Sequence, residues 1–457
     1  MKHLFLILSV WLCSSWAFNG FGETRYGFRI YLKDKGETTC RVEQPEQFLS
    51  AEAIERRKQQ SVPVTGTDLP ISAEYVRQVQ QCGCTVVARS KWMQTMAVVA
   101  VDSTCCVRLL QLPYVDSVRY VGQWQQEELA FEQEGEARLL AKEEPRKNYY
   151  GYAESQIRML NGIRLHKAGF TGHNRRVAVI DAGFAGVDRM AYFDSLQVAG
   201  TYNVASPGET VYAGDEHGTK VLSCLAAKLP GIMVGTAPDA TYWLIRSEVR
   251  AHELPIEEDY WAAAVEYADS VGVEVISSSL GYSTFDEETL DYTPAVLDGR
   301  QSYISQVAGK AAEKGLLLFC SAGNEGAGSW KTITVPADAP DVISVGAIDD
   351  RKKRCAFSSV GYTADGRVKP DVVALGTQCC VIDAEGDMCF SSGTSFAAPT
   401  LAGLAICLWQ AYPQLTNRDL IRWLREGSSL SKQPNRELGY GIPDFYRLYK
   451  RLRHAYR

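Results

Sequence analysis

At 457 residues the chain is too long for one average domain, and with 46% hydrophobic and 22% charged residues it has the composition of a folded globular protein, which excludes a disordered one. Its formal net charge of -6, without any long block of Lys and Arg, excludes a nucleic-acid or anionic-membrane partner held by a basic field.

Residues 1–17 combine a positive start at Lys2, an apolar run over 4–12, and small residues at Ser15 and Ala17. That is the pattern of a secretory signal peptide cut after Ala17, and the run is short for a permanent anchor. Cys13 raises lipid attachment, but Val10, Trp11 and Leu12 before it fit poorly the small residues such a site wants. No later segment reads as a membrane span, so the product is expected to be exported to a periplasm or beyond the cell. Export permits disulfides, and thirteen cysteines are many for an intracellular enzyme. The expected bridge joins Cys389 to Cys379 or Cys380 across a short polar turn, whereas Cys224, Cys320 and Cys407 sit in apolar runs and read as small buried hydrophobes. No His lies at ligand spacing from a cysteine, and the acidic residues are too scattered for a metal loop. No cofactor is expected to be required; structural calcium is left open.

Residues 25–122 have a rhythm of their own. Phe28-Arg29-Ile30-Tyr31-Leu32 alternates as a strand, Ser50 can cap a helix through Gln60, 84–90 and 93–101 read as a strand pair, 103–110 as a short helix and 117–121 as a strand. The order β-α-β-β-α-β predicts a ferredoxin-like α+β unit. Residues 123–148 carry seven Glu against four Lys or Arg with little core-forming periodicity, a solvated spacer of the kind proteases cut most easily. From 149 to the end, short β-branched runs (177–180, 241–246, 273–278, 315–320 and 342–347) alternate with Ala- and Leu-rich helical runs. Continuous apolar strands between amphipathic helices predict an α/β domain with a parallel sheet covered on both faces.

In such a sheet, functional residues gather at the carboxyl ends of strands. Asp181 directly follows Val177-Ala178-Val179-Ile180. His217, in Glu216-His217-Gly218-Thr219, opens a helix, with Gly218 leaving room beside the imidazole. Ser395 stands in Ser391-Ser392-Gly393-Thr394-Ser395-Phe396-Ala397-Ala398-Pro399 at the start of an apolar helix, where its N–H can face an anion. Asn324, in Ser321-Ala322-Gly323-Asn324-Glu325-Gly326, follows an apolar strand. Each alone reads as a cap or turn residue. Together they fit one chemistry: serine needs a base, the base needs a buried carboxylate to hold its tautomer, and an amide can donate to the resulting oxyanion.

These four segments, in the order Asp, His, Ser, resemble the subtilase family of serine proteases from about 149 to Gly439-Tyr440-Gly441. The resemblance implies a subtilisin-like three-layer α/β domain with a central parallel sheet, Asp181 as orienter, His217 as general base and then acid, Ser395 as nucleophile and Asn324 as oxyanion donor. Two positions depart from the family: Ala182 stands where Thr or Ser is more common, and Phe396 where Met is usual. Gln156-Ile157-Arg158-Met159-Leu160-Asn161-Gly162 resembles the opening segment of exported Bacteroidetes-type members. The resemblance further implies that 25–122 is a propeptide that assists folding and acts as an intramolecular inhibitor, which suits a parallel sheet with its slow non-local contacts. It assigns Ser279, Leu280 and Gly281 to a substrate-binding strand whose glycine opens the first specificity pocket, with Ala322 and Gly323 also in the substrate site. The expectation is a secreted serine endopeptidase acting on polypeptides through an acyl-enzyme and maturing by cutting its own linker. The competing readings are a catalytically silent peptide-binding protein of the same fold and another serine hydrolase; against the latter, Ser395 lacks a Gly-x-Ser-x-Gly elbow.

Overall fold

The structure is a computed structural model that describes residues 23–125 and 144–456. The expected signal peptide and most of the acidic linker lie outside the described residues.

In the first domain the strands β1 (Thr24–Leu32), β2 (Thr85–Ser90), β3 (Thr95–Ala100) and β4 (Val115–Gln125) form one sheet in the order β2-β3-β1-β4, with every neighbouring pair antiparallel. This is the ferredoxin-like order, with one helix more than the sequence predicts. Helix α1 (Ala51–Gln59) is capped as expected by Ser50, whose Oγ accepts from the Ala53 N–H at 3.1 Å. It does not cover the sheet. That place belongs to α2 (Ala73–Gln81), which packs Val76 and Val79 on a core containing Phe28, Ile30 and Met96. Its sequence AEYVRQVQQ has too few apolar positions for periodicity to reveal it. A short helix α3 (Cys105–Leu109) completes the domain.

The second domain is built on seven strands: β5 (Arg176–Asp181), β6 (Gln197–Asn203), β7 (Thr241–Arg246), β8 (Val275–Ser278), β9 (Leu317–Ser321), β10 (Ile343–Ile348) and β11 (Val372–Leu375). They run parallel in the order β11-β10-β9-β8-β5-β7-β6. The period-2 alternation of side chains divides β5 between two cores. Val177 and Val179 pack with Leu222 and Leu225 of α4 (His217–Ala226) and with Leu401 and Leu404 of α7 (Thr394–Ala411). Ala178 and Ile180 pack with Trp261 and Val265 of α5 (Ile256–Ser270) and with Ile304 and Val307 of α6 (Tyr303–Glu313). Each fully buried Leu, Ile or Val in these layers contributes about 1.5–3 kcal/mol. Both edge strands escape the sequence reading: β6 is largely exposed with a register shift beside Gly200, and β11 has only four residues.

Two sequence expectations are corrected. α7 is long and apolar enough by composition to cross a membrane, contrary to the reading that no later segment is, yet it is buried at the centre of the large core. The expected bridge to Cys389 is not made, and no disulfide is formed among the twelve described cysteines. In the hairpin of β12 (Cys379–Ile382) and β13 (Met388–Ser391), Val381 stands opposite Cys389. Cys380 therefore points to the other face, and Cys379 is a diagonal neighbour at about 7–8 Å, beyond disulfide reach.

The domains dock through an apolar seam, where Trp92, Ala97 and Val121 pack with Leu254 and Trp261, and through buried charge beside it. Arg29 alternates on β1 with the core residues Phe28 and Ile30 and so faces outward, onto the first turn of α5. With 1% of its surface exposed, it donates from Nε to Asp259 Oδ1 at 2.8 Å and from Nη2 to Asp259 Oδ2 at 2.7 Å, Glu258 Oε2 at 3.1 Å and the Pro255 carbonyl at 3.0 Å. Its guanidinium stacks 3.6 Å from the Tyr303 ring centre. Further along α5, Glu266 accepts from Ser90 Oγ at 2.5 Å and from the N–H groups of Lys91 and Trp92 at 2.9 and 3.0 Å. Arg57 of α1 bridges Asp68 at 2.9 Å and Asp269 at 2.5 Å, Lys314 donates to Asp68 at 3.0 Å, and Arg56 pairs with Asp269 as well. Arg29→Met keeps the stem but leaves two carboxylates buried without their cation, so docking should weaken by about 3–5 kcal/mol. Urea titration of the full chain, with protease sensitivity of the first domain as readout, should show that domain separating at lower urea than in the unaltered chain.

Candidate active site

Parallel strands deliver their carboxyl ends to one edge of the sheet, and the sequence-predicted residues collect there. Asp181 ends β5, Ser279 follows β8 and Ala322 follows β9. His217 is the first residue of α4, and Ser395 the second of α7.

Asp181 has no exposed surface. Its Oδ1 accepts from His217 Nδ1 at 2.7 Å and from the Ala182 N–H at 2.8 Å. The carboxylate assigns the ring proton to Nδ1, leaving Nε2 of the neutral ring as an acceptor. Asp181 Oδ2 has no hydrogen-bond partner among the described residues, and Ala182, which lacks a hydroxyl, has none to give it. The His217 N–H donates to Asp215 Oδ1 at 2.6 Å, and Asp215 pairs with Arg250 at 3.3 Å. Burial pulls the imidazole pKa down, but the charge and hydrogen bond of Asp181 outweigh it, with Asp215 and Glu248 adding, and raise it to about 9. Gly218 serves a different purpose from the one its position suggests: a methyl there would lie 2.3 Å from the Gly183 carbonyl and 3.0 Å from Asp181 Cβ. The glycine lets the helix start close against the Asp181 loop.

Ser395 is 7% exposed in the first turn of α7. Four residues on, Pro399 has no N–H to offer the Ser395 carbonyl, and that carbonyl instead accepts from Ser279 Oγ at 2.9 Å. The proline thus ties the strand after β8 to the helix of the serine, a link with no counterpart in the sequence motif. Asn324 Oδ1 accepts from the Thr394 N–H and hydroxyl, each at 3.0 Å, which fixes the amide and turns its Nδ2 donor away from Thr394. His217, Asn324, Gly393 and Ser395 line one cavity of about 540 Å³.

A second cavity of about 470 Å³ adjoins it at His217 and is lined by Ser279, Leu280 and Gly281 together with Glu248, His252, Glu253 and Asp286. The sequence reading passes over these acids and treats His252 as ordinary, because the loops that carry them, between β7 and α5 and after β8, have no periodicity to mark them. Burial and the neighbouring Glu253 push Glu248 up to about 8, while its Oε1 accepts from Tyr282 at 2.7 Å. Burial and Asp286 push Glu253 up to about 7. Trp124 of β4 lies with its ring 5.0 Å from that of His252, so the first domain reaches this cavity at the end of its last strand. Ala322 and Gly323 sit across from Gly281, near Thr334.

The arrangement can activate Ser395 as a nucleophile. His217 accepts a proton only when neutral, and its folded pKa lies above the ordinary 6.5, so reaction of Ser395 with a fluorophosphonate should rise about tenfold per pH unit until it levels near pH 9. Asp181→Asn removes what raises that pKa and should shift the rise to lower pH. It should also cut the plateau rate by about 10⁴-fold through loss of the correct tautomer. Labelling rates between pH 5 and 10 test both effects.

Residues 172–441 match the family model described as the subtilase family, and residues 27–136 match the one described as the peptidase S8 propeptide domain of Bacteroidota. Subtilisin NAT of Bacillus subtilis subsp. natto is 31% identical over 271 residues, which cover 58% of this chain and 64% of that relative. Subtilisin of Bacillus pumilus is 31% identical over 268 residues, 58% of this chain and 86% of that protein. The minor extracellular protease Epr of Bacillus subtilis strain 168 is 26% identical over 279 residues, 60% of this chain and 38% of its own length. The chain thus spans just under two thirds of the first of these relatives.

Proposed function

Because the chain belongs to the subtilase family and carries that family's propeptide domain, we propose that it is an exported serine endopeptidase that matures by cutting its own linker. The observation that carries this reading is the 2.7 Å bond from His217 to a fully buried Asp181, at the rim of the cavity that also holds Ser395 and Asn324.

Ser395 Oγ attacks the carbonyl carbon of a peptide bond while His217 Nε2 takes the hydroxyl proton. Asp181 holds Nδ1–H and balances the imidazolium. The oxyanion is received by the Ser395 N–H, at the start of α7, and by Asn324 Nδ2. Collapse of the tetrahedral intermediate breaks the C–N bond, and His217 passes its proton to the departing amine, leaving an acyl ester on Ser395. Water, deprotonated by His217, repeats the sequence and frees the acid. Side chains and backbone N–H groups supply every step, so the reaction needs no cofactor.

The propeptide inhibits by position. Its last described strand ends beside the cavity of Glu248 and His252. Cleavage in 123–148 would separate the domains, with a product expected to begin near Tyr149.

Expression of the exported precursor with Ser395 intact and as Ser395→Ala tests the reading by mass and by fluorophosphonate labelling. Only the intact form should be labelled and shortened; equal processing of both would mean that another protease matures it, and an unlabelled, shortened intact form would refute the enzyme reading. Asn324→Ala should remain labelled but lose about 10²–10³-fold in kcat, the cost of removing one oxyanion donor in a member of this family. Peptide hydrolysis with KM measured separately checks that the loss falls on kcat.

A further inference from the structure

Two segments assigned to the substrate site, Ser279-Leu280-Gly281 and Ala322-Gly323, stand on either side of a single side chain, Thr334. A methyl group placed on Gly281 would lie 2.3 Å from Thr334 Oγ1, and one placed on Gly323 would lie 2.8 Å from Thr334 Cγ2 and 3.1 Å from Oγ1. The gap that the two glycines open is therefore filled from behind by the threonine, joined behind Gly323 by Ser359 Oγ at 2.9 Å from that methyl position.

Thr334 is held there by backbone on both sides. Its N–H donates to the Ala322 carbonyl at 3.1 Å. The next residue, Val335, exchanges both backbone hydrogen bonds with Tyr282, which follows Gly281, at 2.9 and 3.1 Å. The side chain is 4% exposed, and its hydroxyl has no hydrogen-bond partner among the described residues. Buried hydroxyls are nearly always paired, so an unpaired one wedged between two parts of a substrate site marks a place where a ligand group completes the bonding.

We propose that Thr334 closes the inner end of the pocket for the residue just before the scissile bond and restricts it to small side chains, its hydroxyl pairing with that of a substrate serine. The proposal rests on the endopeptidase reading. Directly behind the two glycines lie the Oγ1 and Cγ2 of Thr334. An aromatic ring has to displace them against the backbone bonds just described, whereas the Cβ and Oγ of alanine or serine stop short. A site with a buried hydrogen-bonding group also discriminates against analogues that leave it unpaired.

The test compares kcat/KM for the peptide series Ala-Ala-Pro-X-p-nitroanilide, with X as Ala, Ser, Leu or Phe, using enzyme matured from the full chain. The unaltered protein should favour Ser and Ala at least tenfold over Leu and Phe. Thr334→Gly should raise the Phe rate relative to Ala at least tenfold. Thr334→Val, which keeps the shape and removes the hydroxyl, should lower Ser relative to Ala at least threefold without admitting Phe. A preference for Phe in the unaltered protein, or an X profile unmoved by both variants, would overturn the proposal while leaving the endopeptidase intact. No hydrolysis of any peptide together with no labelling of Ser395 would overturn both.

Discussion

A carboxylate without exposed surface persists only where other groups hold its charge, and the surroundings of Asp181 are organised by that requirement. It ends the interior strand β5, so the sheet fixes its position, and the His217 ring and the Ala182 N–H converge on one of its oxygens. The helix carrying His217 can approach only because Gly218 has no side chain to strike the Gly183 carbonyl. The same bond that holds one oxygen of the acid sets the tautomer of His217 and raises its pKa. Structural need and chemical use are here one interaction.

The serine side follows from a different constraint. Pro399 cannot donate, which frees the Ser395 carbonyl for Ser279, and Asn324 is oriented by Thr394, the residue before the serine. Two separate strand ends are thereby referred to the first turn of one buried helix. A rigid apolar helix is a good carrier for a nucleophile, because its position is set by packing along its whole length rather than by the loop that precedes it.

Much of this was legible in the sequence, for a physical reason. Asp181, His217, Asn324 and Ser395 each sit where an apolar strand or helix meets small residues, and such junctions stand out in one dimension. The central strands were legible because burial on both faces makes them continuously apolar. What escaped lacked that signature. The edge strand β6 is half solvated, α2 shows few apolar positions, and the face of α1 that docks is made of Arg56 and Arg57, which periodicity takes for solvent-facing. Thr334 and Pro399 matter through partners distant in the chain. The Cys389 expectation failed because spacing along a hairpin does not tell which face a residue occupies or which residue stands opposite it, and register does.

The contact between the domains has a colloidal consequence. Most protein surfaces built to be covered are apolar, and uncovering them invites aggregation. Here the covered face of α5 presents Glu258, Asp259, Glu266 and Asp269, and the departing domain presents Arg29, Arg56 and Arg57. Water hydrates all of these strongly once they are apart. Separation would also uncover the apolar seam in which Trp92 and Val121 pack with Leu254 and Trp261, so the charges keep most of the parted faces wetted while that seam stays the one adhesive strip on each.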